Sequence, residues 1–143
     1  MPRRLIRGLL VAAAALCGTT AAQAQGLEIG KNEFLRSCAS CHGATGKGDG
    51  YVAKALIKQP PDLTGLTKAN NGVFPFSRIY DAIDGRIAVI AHGSREMPVW
   101  GEFYTREWNT GLPGALASKE IAEAVTRVRI LALIEYVSTL QGK

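Results

Sequence analysis

The apolar residues of this chain recur at helical spacing, and long polar loops separate the stripes they form. From Glu28 to Cys41, Ile29, Phe34 and Leu35 fall on one side, and Lys31, Asn32, Glu33 and Arg36 on the other, which predicts an amphipathic helix. Gly30 lies inside it, where glycine costs about 1 kcal/mol against alanine. It therefore predicts close approach by the backbone of another element. The helix should stop at Gly43, because Gly43, Gly46, Gly48 and Gly50 follow in quick succession and mark a loop. No strand precedes that loop, which excludes a dinucleotide-binding turn. Tyr51 to Lys58 predicts a short helix with Val52, Ala55 and Leu56 inward, stopped by Pro60-Pro61. Asn70-Asn71-Gly72 reads as a turn. Ser77 is placed to cap a helix over Arg78 to Asp84, with Ile79, Tyr80 and Ile83 buried and Gly85 closing it.

Ile87 to Ile90 is a short apolar run, read as packed loop or continued helix. Phe103, Tyr104 and Trp108 mark a partly helical segment, and Thr110 to Ala117 a connector. Ser118 then caps a last helix with Glu120 in its first turn, running to about Leu140 and ending at Gly142. Its apolar positions fall in two stripes. Ile121, Ala124, Val125 and Val128 share one side; Ile130, Leu133, Ile134, Val137 and Leu140 share another, so the two halves should face different neighbours. The pattern as a whole predicts an all-α protein. Loops of this length argue against a compact domain unless something besides side chains fills its core.

The first residues change the picture of the mature protein. Arg3, Arg4 and Arg7 precede an apolar run, Gly8 to Cys17, too short for the ~20 residues of a membrane span. Ala22-Gln23-Ala24 then offers a small-residue cleavage site. This order is that of a secretory signal, predicting a cleaved segment 1–24, a single domain over 25–143, and a periplasmic location. The full chain has 17 Lys+Arg and 12 Asp+Glu; removing three arginines leaves 14 − 12 = +2. The sequence pI of about 9.3 thus belongs largely to the signal, and no arginine-rich patch suggests nucleic acid. Glu123, Arg127, Arg129 and Glu135 interrupt the last helix, so no stable membrane span is expected after cleavage.

The chemistry concentrates in Cys38-Ala39-Ser40-Cys41-His42. C-x-x-C-H is the spacing by which two cysteines reach the two vinyl groups of one haem while the following histidine turns its imidazole to the iron. A disulfide between Cys38 and Cys41 would close too short a loop to stabilise much. A zinc site lacks a fourth ligand, and a thiol redox pair lacks a strand-rich setting. For the far side of the iron, the mature chain offers His92 and Met97. Met97 precedes Pro98, which stiffens the loop presenting it, and a thioether favours ferrous iron. His92 is the competing ligand.

With these residues in hand, the chain resembles the class I cytochromes c. Gly30 and Phe34 stand eight and four positions before Cys38, and Leu133-Ile134-Glu135-Tyr136-Val137 matches the family's last helix. The resemblance implies a cytochrome c fold, with Gly30 and Phe34 packing on Tyr136 where the first and last helices cross. It also implies that Pro60 or Pro61 supports His42 through its carbonyl. One covalent haem c, attached at Cys38 and Cys41 and ligated by His42 and Met97, would carry single electrons between redox protein partners. Such a protein is a carrier and not an enzyme. The alternatives are a haem enzyme or sensor whose far ligand is displaced, and a haem subunit of a larger dehydrogenase or oxidase. Arg86 and Trp100 are candidate propionate partners, against packing or a solvated charge. Lys47, Lys54, Lys58 and Lys68 are candidates for steering an acidic partner. The stretch from Phe103 to Ala117 is extra chain relative to small members of the family.

Overall fold

The structure, a computed structural model, is described for residues 25–86, 97–111 and 118–142. The expected signal, the Ile87–Ile90 run, His92 and most of the connector lie outside these residues. The described residues are helical with no strand, as the periodicity predicts. Helix α1 covers 25–37. It is followed by α2 (Ala39–His42), a 3₁₀ turn (Ala53–Ala55), α3 (Leu66–Ala69), α4 (Phe76–Asp84), α5 (Trp100–Gly111) and α6 (Lys119–Thr139).

The core sits on α6. Ile130, Leu133, Ile134, Val137 and Leu140 meet Phe34 of α1, Ile83 of α4 and Tyr104 of α5. α1 and α6 cross at Gly30 as expected. A methyl group there would run into the Ala132 carbonyl and lie 3.1 Å from Tyr136 Cβ. Phe34 packs obliquely on Tyr136, with ring centroids 5.2 Å apart. Ser118 caps α6, its Oγ accepting from the Ile121 amide at 3.3 Å. Gly85 closes α4 at φ 68° with its amide on the Asp81 carbonyl, the left-handed stop that glycine permits.

Four local expectations need correction. On α1, Ile29 and Leu35 are exposed while Glu33, assigned to the wet side, is 8% exposed. The helix is covered on the face holding Gly30, Glu33 and Phe34, and arginine and tyrosine partners make a buried carboxylate tolerable there. On α6 there is one continuous stripe, Ala122, Thr126, Ile130, Leu133, Ile134 and Val137; Val128 is 61% exposed. The small residues face inward in the first half because α5 lies against them, Thr105 Oγ1 sitting 3.1 Å from Thr126 Oγ1. The segment from Tyr51 to Lys58 keeps only a 3₁₀ turn, with Ala53 and not Leu56 inward. The Ala55 and Leu56 amides reach only three residues back, to Val52 and Ala53 at 3.0 and 3.1 Å, and the chain leaves the turn extended at Leu56. Ser77 does not cap α4. That helix begins two residues earlier, at Phe76, with the Pro75 carbonyl accepting from Ile79.

Candidate haem-binding site

α1 delivers the C-x-x-C-H segment. The Cys38 amide bonds the Phe34 carbonyl at 2.9 Å, and the Cys38 carbonyl in turn accepts from Cys41 and His42 at 3.1 and 2.9 Å. One short turn therefore sets both thiols and the imidazole. Cys38 and Cys41 are free and half-buried. Burial, the nearby Glu33 carboxylate and Cys41 together push the Cys38 thiol up to about 12. It stays a protonated thiol at neutral pH, the opposite of a reactive thiolate.

The glycine loop then folds back over His42. Gly48 has φ +78°, and a side chain there would strike the Pro60 carbonyl. Its amide bonds the His42 carbonyl at 2.8 Å, and Leu63 bonds Gly46 at 2.7 Å. This closure brings the Pro61 carbonyl to 3.2 Å from His42 Nδ1. A carbonyl only accepts, so Nδ1 carries the proton and Nε2 keeps its lone pair. Between the two prolines left open by the sequence, Pro61 is the partner. Burial lowers the His42 pKa and the Pro61 carbonyl partly offsets this, so the ring is neutral and available as a ligand near pH 7.

Met97 is half-buried and packs against the same core cluster as Cys38. Leu63, Leu66, Phe74 and Ile79 join them there. Two thiols, one oriented imidazole, one thioether and an apolar wall make a donor set that fits haem c. The other candidates are engaged in the protein. Arg86 binds Asp84 and Glu123, both at 2.6 Å, and so ties α4 to α6. Trp100 packs on Phe103 and Tyr104, with centroids 5.5 and 5.8 Å away. Lys47, Lys54, Lys58 and Lys68 are exposed.

Sequence reasoning missed a buried polar cluster behind the motif. Glu33 accepts from Ser37 (2.7 Å), Tyr104 (3.0 Å), Arg36 (3.0 Å) and Arg129 (2.9 Å). Arg129 also donates to Glu107 at 2.6 Å. Burial would raise the Glu33 pKa, but the bonds from Ser37 and Arg129 outweigh it and hold the carboxyl below its ordinary value. Charged residues on three separate helices leave no periodic signal that would group them.

The family model described as cytochrome c oxidase, cbb3-type, subunit III matches residues 25–108, more than half of the chain. The chain belongs to this family of c-type cytochromes. As a c-type cytochrome it carries covalently bound haem c with its iron, in the all-α cytochrome c fold, and it transfers electrons with redox protein partners. Members of the family are usually exported. No helix among the described residues is long and apolar enough to cross a membrane. Comparisons with curated proteins and with solved structures return no match.

Proposed function

We propose that this cytochrome is an exported single-haem electron carrier with His/Met-ligated iron. In this reading residues 1–24 are the cleaved signal and 25–143 one cytochrome domain working in the periplasm. Cys38 and Cys41 form the thioether bonds, and His42 and Met97 are the iron ligands. Bound haem supplies an iron that takes up and releases one electron, with a thioether favouring the ferrous form. The protein's part is to orient, to exclude water and to hold a proton in one place. The His42 Nδ1 contact to Pro61 carries the reading, because it leaves Nε2 free and fixes the ring. Met97 supports it as a half-buried thioether beside the core that Cys38 also touches. With both ligands in place no substrate reaches the metal, so the protein is a carrier and not an enzyme.

Three measurements test this. A pyridine haemochrome spectrum should show one c-type haem per chain. The ferric protein should show the weak long-wavelength charge-transfer band of a sulfur–iron bond. Met97→Ala should abolish that band, lower the potential and admit carbon monoxide to the reduced form, while His92→Ala should change none of these. The reverse pattern makes the pair His/His. Ready carbon monoxide binding by the unmutated protein replaces the carrier with a haem enzyme or sensor. The family's name, an oxidase subunit, favours as second reading a haem subunit of a larger complex. Co-purification of the exported protein with membrane-bound oxidase subunits would establish it.

A further inference from the structure

Only Pro98 and Val99 separate Met97 from α5, and the Val99 carbonyl already accepts from Phe103 at 3.1 Å in that helix's first turn. Three Cα–Cα steps from Met97 to Trp100 span at most ~11 Å, and the proline fixes one of the intervening torsions. Met97 therefore goes where the start of α5 goes. The seat of α5 is in turn held by charge. One turn in from Trp100, Tyr104 is 1% exposed and donates to Glu33 of α1 at 3.0 Å. The Arg129 guanidinium of α6 lies over the Tyr104 ring, 3.9 Å from its centroid. It bonds Glu33 at 2.9 Å and Glu107 at 2.6 Å, and Arg36 bonds Glu107 at 3.2 Å. Glu33 also takes the hydroxyl of Ser37, the residue before Cys38. The same cluster thus grips the helix that leads into the attachment motif and the helix that trails Met97.

We infer that Glu33, Arg129, Glu107 and Tyr104 are positioning residues that hold Met97 at a set distance from the Cys38–His42 turn. The inference rests on the Met97 reading above. An apolar seat would let α5 slide or roll by small steps. A buried pair with shared hydrogen bonds has one arrangement that satisfies every partner, which is its best-attested use. The cluster's hydrogen bonds join Glu33, Ser37, Arg36, Tyr104, Glu107 and Arg129 and none of them reaches His42 or Met97, so they act on the iron through where α5 begins.

The test uses the purified holoprotein, well below the melting temperature of each variant. Tyr104→Phe removes one buried hydrogen bond, and Glu107→Gln one partly exposed charge. If the cluster positions Met97, both variants bind carbon monoxide about tenfold faster in the reduced form, because the Met-off fraction rises. Both also weaken the ferric charge-transfer band and speed hydrogen exchange at the α5 amides. Arg106→Ala, which breaks the exposed Glu102 pair on the same helix, should leave all three unchanged. Variants that melt earlier yet keep the band and the carbon monoxide rate overturn the positioning role and leave Met97 ligation standing. An unmutated protein without the band, or Met97→Ala retaining it, overturns the ligation reading itself, whatever the Tyr104 and Glu107 variants do.

Discussion

Gly30 has the Ala132 carbonyl where its side chain would be, and Tyr136 beside it. Helix backbone cannot yield as a flexible side chain can, so an added methyl must part the two helices. Gly30→Ala should cost ~1–3 kcal/mol by overpacking, despite the better helix propensity of alanine. A melting curve should show the drop, and Lys31→Ala, one position away on the open side, should show none. At the motif, Cys38→Ser or Cys41→Ser should sharply lower holoprotein yield, read as haem stain retained on a denaturing gel. Full extraction of haem from the unmutated protein by acidified organic solvent would defeat covalent attachment at these residues. At this scale much was legible. The C-x-x-C-H segment, Gly30 and Phe34 are local patterns with fixed spacing. Pro61 was not legible, because two adjacent prolines differ only in which carbonyl the folded loop turns toward His42. Glu33 was misread for a related reason: a carboxylate looks solvated until the partners that bury it are known.

Among the elements, α5 and α6 show where periodicity misleads. Ala122 and Thr126 are weak hydrophobic signals beside Ile121, Val125 and Val128, yet they are the ones buried. Size decides, since only small side chains admit α5 at that distance. α5 itself was legible as aromatic residues without a clear face, because its inward side includes Thr105 and Glu107, which meet polar partners. Those partners give α5 a pH dependence. Glu33 and Glu107 both have folded-state pKa values below the ordinary 4.5; bonds from Ser37 and Arg129 hold Glu33 down, and Arg129 holds Glu107. Their contribution is therefore complete above about pH 4.5 and is lost as the pH falls through the depressed values. The melting temperature should decline from about pH 5 toward pH 3. Glu33→Gln should cost ~1.5–3 kcal/mol near pH 7 and flatten that decline. An equally steep acid decline in the variant would assign it to other carboxylates.

For the molecule as a whole, export and charge belong together. If cleavage follows Ala24, N-terminal sequencing of the exported protein should begin at Gln25, and the polypeptide should carry 14 − 12 = +2. A periplasmic form still beginning at Met1 would make the segment an anchor. The all-α class was legible from stripe spacing, and so was the need for a non-protein filler from loops too long for their side-chain core. The joining of the far parts was less so. Gln141 reaches the Leu63 carbonyl at 2.7 Å and the Thr67 amide at 2.9 Å, and the Gly142 amide meets Thr64 at 3.0 Å. No local pattern announces that the residues after α6 tie down the loop that follows Pro61.

The crossing of α1 and α6 also sets an order of events in time. Gly30 and Ala132 are 132 − 30 = 102 residues apart, so their contact closes almost the whole chain and is among the slowest kinds to form. Until α6 docks, the Gly30 face of α1 is uncovered and Phe34 lacks the Tyr136 ring it packs on. A chain in which this crossing has not formed should therefore expose Cys38 and Cys41 more than the folded protein does, where both are half-buried. In the proposed reading, with the haem on Cys38 and Cys41, Gly30→Ala should then lower the melting temperature yet leave the share of chains carrying haem stain unchanged.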